Sequence, residues 1–79
     1  MNRRALLKIY SDPDLVAYIR YQARRHFSSQ DDQEDVISEV WEKFVTQKQA
    51  PPDSRIFAYR VIHNSYERRR YLHIKNQLP

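Results

Sequence analysis

Residues 31–45 read DDQEDVISEVWEKFV, and within them Val36, Ile37, Val40, Trp41, Phe44 and Val45 recur at i, i+1, i+4, i+5, i+8 and i+9. That is the spacing of one helix face, because successive residues turn by about 100° in an α-helix and by about 180° in a strand. These apolar positions fill one half of the wheel, while Asp31, Asp32, Asp35, Glu39 and Glu42 fall in a stripe roughly 100° wide on the opposite side. The stretch predicts a helix ending near Gln47, apolar inward and acidic outward. Ser29 with Asp32 three residues later reads as its capping-box start, Asp standing in for Glu.

Downstream, Ala50-Pro51-Pro52-Asp53 breaks this helix, since a proline lacks the amide hydrogen and biases the preceding residue toward extended geometry. Asp53 or Ser54 caps the next helix. No breaker follows until Pro79, so a helix from about Arg55 to about Ile74 is predicted, roughly 30 Å long. Its expected buried side is Ala58, Val61, Ile62, Ser65, Tyr66 and Leu72; Arg60, His63, Asn64, Glu67, Arg70 and Tyr71 make the other. Upstream, Ser11-Asp12-Pro13-Asp14 announces a helix to about Phe27: Ser11 or Asp12 caps, Pro13 fits the first turn, and the acids complement the dipole. Leu15, Ile19, Ala23 and Phe27 recur every four residues with Val16 alongside, and Arg20, Arg24 and Arg25 lie off that stripe. Ala5, Leu6, Leu7, Ile9 and Tyr10 add a short helix covering one end of the core.

With 79 residues the chain holds one small domain, spanning 1–79, and with no Cys it has neither disulfides nor thiolate metal ligands to staple it. Gly is also absent, which removes phosphate-binding loops, dinucleotide-binding turns and most tight hairpins. The fold class expected is therefore all-α, a small bundle of three or four helices. Lys8 interrupts an N-terminal apolar stretch too short for a signal peptide, and no long apolar run exists for a membrane span, so a cytoplasmic protein with no membrane partner is expected.

Charge is segregated. Residues 1–25 carry six basic and two acidic side chains, 26–54 carry two and seven, and 55–79 carry six and one, within a net charge of +4. An acidic helix between two basic segments suggests two different partner surfaces. The third helix combines Arg55, Arg60, Arg68, Arg69, Arg70 and Lys75 with Phe57, Tyr59, Tyr66 and Tyr71. Cations meet phosphates and aromatic rings stack on unpaired bases, so nucleic acid is the favoured ligand; a solvated basic face is the plain alternative. Enzymatic chemistry is not expected: His26, His63 and His73 lie at no metal-ligand spacing, and His63 with Glu67 one turn later is a pairing that chance supplies. No metal and no cofactor are expected.

Asp35-Val36-Ile37-Ser38-Glu39-Val40-Trp41 resembles the Asp-Leu-Val-Gln-Glu-x-Phe stretch in region 2 of bacterial sigma factors, particularly the extracytoplasmic-function group. FAYRVIHNSYERRR, residues 57–70, resembles that group's Trp-Leu-x-Arg-Ile-Ala-x-Asn stretch, with Phe57 at the Trp position and Arg60, Val61 and Asn64 in step. The resemblance covers roughly residues 12–75. It implies a transcription initiation subunit rather than an enzyme. The second helix would dock on the β′ clamp of core RNA polymerase through Asp35, Ser38 and Glu39, with Glu42 added from the wheel. The third helix, with the loop before it, would open the promoter −10 element and hold its non-template strand. That assigns strand contacts to Arg55, Phe57, Tyr59, Arg60, His63 and Asn64, and phosphate contacts to Arg68, Arg69 and Arg70. Ser38 departs from the usual Gln, and Arg68 stands near where an acidic residue often follows the Asn. A region 2 module would work with a separate region 4 protein. The alternatives are a decoy or anti-sigma-like regulator occupying the sigma site on polymerase, and a plain nucleic-acid-binding module.

Overall fold

Asn2, Asp12, Ser29 and Asp53 each turn a side-chain oxygen onto amides of the turn that follows, and a helix begins after each. In the computed structural model, which describes residues 1–77 and side chains through Lys75, the elements are α1 (Arg3–Tyr10), α2 (Pro13–His26), α3 (Gln30–Thr46) and α4 (Ser54–Gln77). The described residues form an all-α four-helix bundle. The amides at helix starts have no intrahelical partner, so an Asp or Asn there removes one or two orphan donors. Asp12 accepts from the amides of Asp14 and Leu15 at 3.0 and 3.3 Å, and Asp53 from those of Arg55 and Ile56 at 2.9 and 3.2 Å. In both places a carboxylate, not the neighbouring serine, is the cap, and its charge also meets the positive end of the helix dipole. The Asn2 side chain accepts from the Ala5 amide at 2.8 Å, which starts α1 two residues earlier than its apolar residues indicate. Ser29 accepts from Asp32 at 3.5 Å, but the Asp32 carboxylate is drawn to Arg69 instead of closing a capping box. The Pro79 breaker lies outside the described residues.

Ring and ion-pair contacts give the helix directions. Tyr18 lies beside Arg55 and His26 beside Tyr59 and Tyr66, so α2 and α4 run parallel. Phe44 meets Phe57 at one end and Asp32 meets Arg69 at the other, so α3 runs antiparallel to α4. Between them lie Ile9, Leu15, Ile19, Ala23, Phe27, Val36, Val40, Phe44, Ala58 and Ile62, all buried. The N-terminal amino group donates to the Gln47 carbonyl, and Met1 packs against this core.

Two positions expected on the buried sides of α3 and α4 are on the surface, as are Leu7 and Tyr10 of the helix expected to cover the core's end. Leu72 is 50% exposed because α3 begins, and α2 has already ended, level with residues 66–69 of α4, leaving the later turns without a neighbouring helix. Val45 is also 50% exposed, about 140° round α3 from Val40, the middle one of the three fully buried positions Val36, Val40 and Phe44. Trp41 is half-buried, its ring packed on Phe44 of the core at 5.7 Å and on Tyr10 of α1 at 4.8 Å. No helix among the described residues is long and apolar enough to cross a membrane.

Ser65 is fully buried on α4 and its hydroxyl has no hydrogen-bond partner among the described residues. An unsatisfied buried donor costs about 1–3 kcal/mol, and Ala has the higher helix propensity. Ser65→Ala is therefore expected to raise the melting temperature by about 4 °C or more. A lower melting temperature, read by circular dichroism, would mean that the hydroxyl is bonded in solution.

Candidate functional site

The acidic stripe of α3 divides in two. Asp31, Asp35, Ser38 and Glu42 are exposed on the outer face. Asp32 and Glu39 lie about 20° apart on the wheel, on the flank beside α4, and both are engaged there. Glu39 is only 20% exposed and accepts from the Arg68 guanidinium at 3.0 Å. Asp32 accepts from the Arg69 guanidinium at 3.1 Å. Of the residues expected to face a polymerase, three are free of α4 and Glu39 is held by it.

The residues expected to contact DNA divide as well, because α4 presents two flanks. On the α3 side Phe57, Arg60, Asn64 and Arg68 line a groove of about 400 Å³, closed across by Glu39 and Lys43. Phe57 and Arg60 also wall a larger groove of about 810 Å³ between the 46–53 connection and the first turns of α4, where Pro51, Pro52 and Ile56 supply apolar surface. The two grooves thus share Phe57 and Arg60 as walls. On the α2 side, Arg55 sits over the Tyr18 ring at 5.6 Å. Tyr59 and His63 stack nearly parallel there, 5.7 Å apart at 9°. Both rings pack on His26, at 5.7 and 5.9 Å. The His26 Nδ1 lies 2.8 Å from the Gln22 carbonyl and must donate to it, which fixes the tautomer of the neutral ring.

Tyr18 and His26 were missed by sequence reasoning, since only the packing of α2 against α4 brings them beside Tyr59 and His63. Their signal was faint: Tyr18, Gln22 and His26 form an i, i+4, i+8 line along the edge of the α2 apolar stripe. The arginine run also separates. Arg69 lies on the inner side, over the Phe27 ring at 5.2 Å and against Asp32. Arg68 is tied to Glu39, and Arg70 is exposed. His63 Nε2 stands 4.0 Å from the Glu67 carboxylate, beyond hydrogen-bond reach, with both side chains about half exposed. No three His, Cys, Asp or Glu side chains among the described residues are placed to hold a metal ion.

A consequence is that Arg69 and Arg70 differ in role. Arg69→Ala removes a cation–π contact and a partly exposed ion pair, together worth about 1 kcal/mol, and should lower the melting temperature by several degrees. Arg70→Ala should leave it unchanged. Equal melting of the two variants would show that Arg69 is not part of the α2–α3 joint. Searches of family models, of curated proteins and of solved structures each return no match to the chain.

Proposed function

We propose that the chain is a transcription initiation subunit that engages core RNA polymerase through the acidic outer face of α3 and holds the unpaired non-template strand of a promoter −10 element on α4 and the connection before it. The observation that carries this reading is the pair of separate surfaces: exposed Asp31, Asp35 and Glu42 on α3, and on α4 the groove where Phe57 and Arg60 meet Pro51 and Pro52. The groove suits a flipped base. It has an aromatic and apolar floor to stack on, a guanidinium at its rim for phosphate, and Asn64 one turn further along to read a base edge. The motifs that resemble sigma region 2 fall on these two helices.

The test is a panel of bubble and duplex templates titrated with the polymerase complex at two salt concentrations. Bubble templates are expected to bind more tightly, because their bases need no unstacking. Asn64→Ala should shift preference among −10 sequences, whereas Arg70→Ala should weaken all alike and flatten the salt dependence. Equal affinity for bubble and duplex, with no sequence shift, would favour the decoy reading. One observation supports that alternative: Arg68 and Arg69 are already neutralised by Glu39 and Asp32, which leaves fewer cations for phosphate.

A further inference from the structure

We propose that the strip shared by α2 and α4, formed by Tyr18, Tyr21, Arg25 and His26 on one side and Arg55, Tyr59 and His63 on the other, is a second platform for single-stranded nucleic acid. It rests on the reading that α4 holds an unpaired strand, and adds to it a surface on α2 that lies outside both motifs.

The strip is built from ring and cation pairs. Arg25 lies over the Tyr21 ring at 5.7 Å and donates to its hydroxyl at 3.4 Å. Arg55 lies over Tyr18, and the parallel Tyr59–His63 pair backs onto His26. Tyr21 and Tyr59 are 48% and 40% exposed, so part of each side chain is accessible to a ligand beside the cation or ring already packed against it. From Tyr18 to His26 the strip runs about 12 Å along α2, room for about three stacked nucleotides at 3.4 Å each. Three carboxylates lie near its ends: Asp53, two residues before Arg55 and engaged in capping α4, Asp14, one turn before Tyr18, and Glu67, 4.0 Å from His63. Arg20 and Arg24 add positive field from the exposed side of α2. An acidic peptide would satisfy the cations but leave the ring faces unused. Bases use both, since a base stacked on an aromatic ring is worth roughly fivefold or more in affinity whatever its identity. A strand leaving the Phe57 groove would reach the strip by crossing the outer face of α4 at Arg60 and His63.

The experiment titrates the full chain into labelled oligo-dT and oligo-U of twelve residues at low salt, alongside the Tyr21→Ala/Arg25→Ala double variant and Arg60→Ala. Both substituted α2 side chains are exposed and touch mainly each other, so melting should be unchanged. The double variant is expected to lose about tenfold in affinity for both oligomers, because the strip contacts bases and phosphates and not the sugar; the tighter oligomer names the natural strand. Photocrosslinking from a 5-iodouracil oligomer should label Tyr21, Tyr59 or His63. Full affinity in the double variant with a loss in Arg60→Ala would overturn the strip and leave the proposed function standing. The converse, a loss in the double variant alone, would support the strip and count against the Phe57–Arg60 groove. Displacement by polyglutamate of equal charge as efficiently as by oligo-dT would reduce the strip to a charged patch and overturn it.

Discussion

Phe44→Ala is expected to leave the chain unfolded or nearly so at room temperature, while Trp41→Ala only lowers the melting point. Phe44 is fully buried, with the Phe57 ring at 4.6 Å and the Trp41 ring at 5.7 Å. Removing a buried Phe costs about 3–5 kcal/mol. A chain this small has roughly 4–12 kcal/mol to lose, and this ring packs the end of α3 on the start of α4 through Phe57. Trp41 is larger but half-buried, and its deletion mainly frees Tyr10 and α1, the helix with the fewest contacts to the rest. Circular dichroism melts of both variants decide the matter. A folded Phe44→Ala beside an unfolded Trp41→Ala would invert the packing described above.

The second large effect is on partner binding. Asp35→Lys/Glu42→Lys is expected to reduce capture of core RNA polymerase by roughly 100-fold, the scale on which reversed charges act at a charge-complementary interface. Both carboxylates are exposed and neither makes a side-chain hydrogen bond or ion pair among the described residues, so the melting temperature should move little. Glu39→Lys is the less clean variant. It would set a second cation against Arg68, where an ion pair now joins α3 to α4, and any loss of capture would be mixed with a loss of packing. A folded double variant that still captures polymerase would remove the acidic face from the interface.

The helices were legible because each starts with its own cap and carries its own apolar period, from Leu15 to Phe27 and from Val36 to Phe44. Cross-helix relations were not. Nothing local tells that Glu39 and Asp32 leave the acidic stripe for Arg68 and Arg69, since that depends on the rotation of α3 against α4. Leu72 continues the apolar line of α4 faithfully, yet whether a neighbour reaches it depends on where two other helices stop. The candidate site was legible in composition and not in layout: Arg55, Tyr59 and His63 were grouped with Phe57, Arg60 and Asn64 because they share a helix, and the bundle sorts them onto opposite flanks.

The most direct measurement is an equilibrium titration of the labelled full chain with purified core RNA polymerase from its native cell, in the presence of a −10 bubble template. A saturable one-to-one complex, lost with Asp35→Lys/Glu42→Lys and tightened by the bubble over the duplex, is the result required of an initiation subunit. Absence of any complex at micromolar concentrations, from a chain that circular dichroism shows to be folded, would contradict it.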